Sequence, residues 1–243
     1  MAATASESRP AVSKNLAVRL VGVVFSPRAA YADVAERPRV LGALVIVLGI
    51  IVTATFLFLS TEVGQQAALA SQVQQMESFG RTVSDAQYAQ MERTAPSFRY
   101  FAAAFQLVLT PLAALIVAAL AFAVFNAVMG ADASFKHVYA IVVHSGAILI
   151  VQAVFSLPIA YARETSSGVT NLGVFFPFLD ESSFAARLLG SIDLFLVWWI
   201  VSLSIGLGVL YKKRTGPIAT TMLIIYVMIG LLIAAIKTMT SGA

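Results

Sequence analysis

Apolar residues gather into five long stretches, residues 40–59, 100–129, 138–161, 188–211 and 217–236, with polar segments of unequal length between them. Within each stretch the apolar positions lie on every side of a helix rather than along one stripe, so no polar face is left for water. About 20 apolar residues, rising ~1.5 Å each, cover the ~30 Å of a bilayer's hydrocarbon, and every stretch reaches that length. The pattern predicts an all-α protein, a polytopic transmembrane helical bundle with five spans. Two prolines interrupt the regularity. Pro111 inside the second stretch predicts a kink, a tilt or a start outside the hydrocarbon, and Pro158 lies near the end of the third.

The segments between the stretches carry signals of their own. Residues 1–13 are small and polar; they predict a mobile tail and lack the apolar core of a secretory signal. Residues 14–39 read as cytoplasmic interfacial amphipathic helices. Leu16, Leu20, Val23 and Val24 share a face that also holds Arg19. Ser26-Pro27 marks a helix start, because serine caps and proline suits the first helical position. The five-span membrane domain then covers residues 40–237. In residues 60–99, Leu69, Val73, Met76 and Phe79 recur at helical spacing, and Ser84 with Gln87 forms a capping box before another short helix. This predicts a small extracytoplasmic helical cap. Gly130 as a stop and Ser134 as a start make residues 130–137 a tight turn. Residues 162–187 form a more irregular loop, whose apolar patch at 174–179 suits the membrane interface.

Composition removes the alternatives. Apolar residues make up 59% of the chain and charged residues 12%, against about 25% charged in a soluble domain. Too little charge is present to cover a soluble surface, and too much apolar mass for a disordered chain. Cysteine is absent, which excludes disulfides, thiolate metal sites and a cysteine nucleophile. Two histidines, His137 and His144, do not make a metal centre. There is no phosphate-binding glycine loop, HExxH or GxSxG motif, so neither an enzymatic activity nor a cofactor is predicted. The net charge of +4 is read by position rather than as a nucleic-acid footprint. Ten of the 16 basic residues fall on the side of the N-terminus: Arg9, Lys14, Arg19, Arg28, Arg37, Arg39, Lys136 and the cluster Lys212, Lys213, Arg214. The N-terminus is therefore expected in the cytoplasm and, after five spans, the C-terminus outside.

Polar side chains inside spans are the candidates for function. Asp193 is the only acid in any stretch. A carboxylate at mid-membrane costs about 2.5–3.5 kcal/mol on insertion scales, so it must face the bundle and find donors. Gln106, Thr110 and Gln152 are expected at similar depth in the outer half, with Arg99 or Arg163 reaching inward from the surface. His144 and Asn126 fall in the cytoplasmic half. His144 and Asp193 are then ~16 Å apart along the membrane normal at ~1.5 Å per residue, too far for a dyad, and His144 reads as a packing residue. Trp198 and Trp199 are expected to pack against neighbouring helices, their indole donors finding a partner such as a serine. These residues fit two roles: structural polar contacts within a non-enzymatic protein, or a small-solute or ion transporter or channel built on Asp193.

The order of these features resembles the Yip family, the Ypt-interacting proteins. The resemblance runs over roughly residues 20–237. It rests on Phe25-Ser26-Pro27, on the turn into Ser134-Phe135-Lys136-His137-Val138-Tyr139, and on Asp193-Leu194-Phe195 followed by Trp198 and Gly206. It implies a bacterial-type, five-span member of the inner (plasma) membrane that acts through membrane organisation or protein partners. The partners implied are the lipid bilayer and membrane proteins or a further copy of the chain. Eukaryotic relatives are associated with Rab GTPases and vesicle traffic. The long cytoplasmic N-terminal domain of some of them has no counterpart here, so a Rab-type GTPase is not expected.

Overall fold

The computed structural model describes residues 15–128, 130–166, 168–180 and 183–240, and the predicted tail at 1–13 lies outside them. Helices α1 (Leu16–Phe25) and α2 (Pro27–Glu36) form a hairpin. The Asn15 side chain accepts from the Val18 N–H at 2.8 Å and caps α1. Pro27 occupies the first turn of α2, as expected from its preset φ. The hairpin is docked on the bundle rather than lying free. Val23, Ala30, Tyr31 and Val34 are fully buried, α1 packing on the third apolar helix and α2 on the later helices. Its opposite side leaves Val18, Val21 and Phe25 exposed.

Among the described residues, four helices are long and apolar enough to cross a membrane. The first is α3 (Leu41–Leu59). At Ser60 the chain turns back, and Thr61 caps α4 (Glu62–Ser78) by accepting from the Gly64 N–H at 3.0 Å. Gly64 lies against the Phe58 carbonyl, where any side chain would collide. The Ser84–Gln87 capping box is present as predicted, but the helix it opens is not short. Helix α5 (Asp85–Phe122) passes through Pro96 and Pro111 without a break and widens into a π-helical turn at Ala123–Val128. Its 38 residues measure about 57 Å, well over the ~30 Å of a bilayer's hydrocarbon.

Gly130, at φ +65°, reverses the chain into α6 (Phe135–Ser145), which a single-residue turn at Gly146 joins to α7 (Ala147–Ala162). The fourth apolar stretch departs from its prediction. It is two helices, α8 (Phe184–Ser191) and α9 (Leu194–Leu210), separated by extended backbone at Ile192 and Asp193. Asp193 is the N-cap of α9 rather than a residue within a continuous helix. Helix α10 (Thr215–Thr240) completes the bundle. The main core joins α1, α2, α3, α6 and α9 at the hairpin end. A smaller one, Phe58, Leu59, Ala67, Ala68 and Ala160, lies at the other end of α3, where it meets α4 and α7.

Candidate functional site: the break before α9 and the groove beside it

A helix that starts inside an apolar environment leaves its first N–H groups without water, so the chain must supply acceptors. The Asp193 carboxylate does so, accepting from Phe195 N–H at 2.8 Å and Leu196 N–H at 3.0 Å. The Gln152 amide, on α7, donates to both carboxylate oxygens at 3.2 Å. The Thr170 hydroxyl, from the irregular loop, donates to Oδ2. The backbone of the break is satisfied as well. The Tyr226 hydroxyl of α10 accepts from the Asp193 N–H at 2.8 Å and donates to the Ser191 carbonyl at 3.0 Å. Leu172 N–H donates to Ile192 O at 2.9 Å, and Leu194 N–H to Thr170 O at 3.1 Å. One carboxylate thus joins α7, α9 and the loop, while a tyrosine ties on α10.

Beside this junction lies an open groove of about 570 Å³. Helix α3 forms its floor, and α5 and α7 form its sides. The walls are apolar (Ile51, Ala54, Leu149, Ala153, Leu157), and Thr110, Gln152, Ser156, Thr170 and Asp193 mark a polar flank. Gln106 is close by and donates to Thr55 Oγ1 at 3.2 Å, while its own Oε1 is buried without a partner among the described residues. The predicted grouping of Asp193 with Gln152 is therefore a direct contact. Thr110 shares the groove, whereas Gln106 bonds elsewhere. Arg99 does not reach the carboxylate: its guanidinium lies over the rings of Tyr100 and Phe56, at 4.8 and 5.8 Å from their centroids. Thr170 and Tyr226 have no sequence signal, because only the folded loop and α10 bring them to the break.

A second polar set sits at the hairpin end. Arg19 is 1% exposed and pairs with Asp33 of α2 at 2.5 Å while donating to Arg37 O at 2.9 Å. Its place on the apolar face of α1 was the available clue, since a buried guanidinium requires an acid. The Tyr31 and Ser202 hydroxyls are 2.8 Å apart. Burial holds the Tyr31 phenol well above its ordinary pKa, with the Ser202 bond opposing weakly. The Tyr31 ring fits over Gly206, where a Cβ would come within 3.0 Å of it and 2.5 Å of Ile141. Ser202 and Gly206, one turn apart, form the notch that receives the hairpin. His144 is fully buried, its Nδ1 2.8 Å from Ala140 O and its Nε2 without a partner among the described residues, and it makes no contact with Asp193. Asn126, in the π-helical turn, donates to Ala133 O at 2.7 Å and accepts from the Tyr211 hydroxyl at 2.8 Å.

The family-motif residues have distinct surroundings. Phe25 is exposed, and Ser26 and Pro27 make the hinge between α1 and α2. Phe195 packs between Phe155 and Trp198. Trp198 is 37% exposed, and neither tryptophan indole has a hydrogen-bond acceptor among the described residues. The expected serine partner is absent there, and Trp198 turns partly outward while Trp199 packs on the core.

Residues 21–236 match the family profile described as the Yip1 domain. Neither a curated protein nor a solved structure is significantly similar to the chain. The profile spans most of the sequence, including the Phe25-Ser26-Pro27 hinge and the Asp193–Gly206 segment, and the described residues beneath it are all-helical with four long apolar helices. This chain is a multi-pass membrane protein that belongs to the Yip family.

Proposed function

We propose that the chain is a non-enzymatic, five-span protein of a bacterial inner membrane that organises the bilayer around it, with its N-terminus in the cytoplasm and its C-terminus outside. Helix α9 supplies the fifth crossing. Its 17 residues measure about 26 Å, at the lower edge of what spans a bilayer. The observation that carries the reading is the docked hairpin. It is held to the bundle by Tyr31–Ser202 and Arg19–Asp33, it presents Val18, Val21 and Phe25 outward, and Arg28, Arg37 and Arg39 flank it. An apolar face flanked by basic residues suits the headgroup boundary of an anionic leaflet. A rigid hairpin there broadens the molecule in one leaflet only.

Reconstituted into vesicles with mixed diameters, the protein should concentrate in the most curved ones. Val21→Ser with Phe25→Ser, two exposed positions, should remove that preference and leave thermal stability within about 0.5 kcal/mol. Equal distribution of the unaltered protein over all diameters would count against the reading. The groove at Asp193 supports a second one, transport of a small solute or ion. That reading requires a flux that Asp193→Asn abolishes.

A further inference from the structure

The groove between α5 and α7 holds more polar capacity than the junction at Asp193 uses. Gln152 spends its amide nitrogen on the carboxylate. Its Oε1 and the hydroxyls of Thr110 and Ser156 make no hydrogen bond among the described residues, although all three residues line the groove. The donors on Asp193 are two backbone N–H groups, an amide and a hydroxyl, all neutral. Among the described residues, no lysine or arginine lines the space. The carboxylate is thus held in place without a counter-charge, beside open acceptors, in surroundings where charge is weakly screened.

We propose that this groove binds one phospholipid whose head carries a primary ammonium group. The ammonium sits among Gln152 Oε1, Thr110 and Ser156 with Asp193 as its counter-charge, and an acyl chain runs along Ile51, Ala54, Leu149 and Leu157. Three arguments select this occupant. A primary ammonium has three N–H donors for the open acceptors, whereas a quaternary one has none. A bare anionic head is repelled by Asp193. The volume, about 570 Å³, lies within the ~300–1,000 Å³ of small-molecule sites; it admits a chain and not a protein helix. Asp193 caps α9 and itself lines the groove, so the counter-charge and the apolar walls belong to one space. Which leaflet supplies the lipid follows from the orientation proposed above; the chemistry of the site does not depend on it.

The test is native mass spectrometry of the full chain in mild detergent, with phosphatidylethanolamine, phosphatidylcholine and phosphatidylglycerol supplied in equal amounts. One phosphatidylethanolamine should be retained, preferred about tenfold over each of the others, the scale of one charge-assisted hydrogen bond. Asp193→Asn should reduce that preference to near unity. Thr110→Val with Ser156→Ala should weaken it without touching the cap of α9, so the idea stays testable if the Asn variant does not fold. Ala153→Phe, which fills the groove, should abolish retention. Equal retention of the three lipids, a preference for phosphatidylglycerol, or undiminished retention by Ala153→Phe would overturn the proposal. So would ethanolamine alone binding as tightly as the lipid, which would assign the groove to a small cation. None of these results bears on vesicle curvature, so failure here leaves the hairpin reading standing.

Discussion

Asp193 shows how one residue decides local structure in an apolar setting. Its carboxylate replaces the water that would otherwise satisfy the first turn of α9, and its other acceptor positions take Gln152 and Thr170. Asp193→Asn keeps an oxygen for the Phe195 and Leu196 N–H groups, and the Gln152 amide and Thr170 hydroxyl can reverse to meet the new donor. Its cost should stay below about 1 kcal/mol, since asparagine caps as well as aspartate. Asp193→Leu removes the cap, worth about 0.5–2 kcal/mol, and strands an amide and a hydroxyl at about 1–3 kcal/mol for each that stays dry. Thermal melts in detergent should therefore rank the native protein and the Asn variant close together, with the Leu variant well below. An Asn variant as unstable as Leu would show that charge, not hydrogen-bond acceptance, holds the break together.

Among the elements, the α1–α2 hairpin depends most on tertiary partners. Two ten-residue helices are too short to be stable alone in water; burial of Val23, Ala30, Tyr31 and Val34 holds them. The Arg19–Asp33 pair is unequal, with side-chain exposures of 1% and 16%. Removing the better-exposed partner leaves the more deeply buried charge alone. Asp33→Leu should therefore destabilise the docked hairpin by roughly 3–5 kcal/mol, the cost of orphaning a buried charge. Arg19→Leu should cost less, because Asp33 retains some access to water. The double substitution should recover most of the Asp33→Leu loss. The readout is thiol labelling of Val34→Cys, buried when the hairpin is docked, in a chain otherwise free of cysteine. Equal labelling of both single variants would contradict the asymmetry.

At the scale of the whole molecule, the proposed orientation places the α4–α5 cap and the 162–187 loop outside, and the hairpin with the 212–214 cluster inside. Single cysteines at Gln74 and Phe178, both exposed, should react with an impermeant maleimide added to intact cells. One at Arg214, also exposed, should react only after lysis. The reverse pattern would invert the topology and move the lipid groove to the other leaflet. Labelling of Arg214→Cys in intact cells together with Gln74→Cys would show that α9 does not cross.

The sequence by itself determined the solvent of this protein and most of its elements. Long uncharged stretches allow no structure in lipid but helices that satisfy their own backbone. Local chemistry then placed the α2 start at Pro27, where proline's preset φ acts although the Ser26 side chain makes no cap bond, the Ser84–Gln87 capping box and the Gly130 reversal, because such signals act within a few residues. Asp193 was legible as a constrained acid, and Gln152 as its neighbour in depth. The break at Ile192–Asp193 was not, since an acid in an apolar run reads alike as a buried residue and as a helix cap until its donors are placed. The short helix expected after Ser84 and the apolar stretch from residue 100 are one helix in the structure, because no break separates them even at Pro96. Tertiary structure alone decided that Tyr31 enters the Ser202–Gly206 notch, that Arg19 meets Asp33, and that Thr170 and Tyr226 converge on the break. Each of these contacts joins separate elements, and the pairing of buried polar groups across helices is set by how the helices pack, which the periodicity of a single helix does not encode.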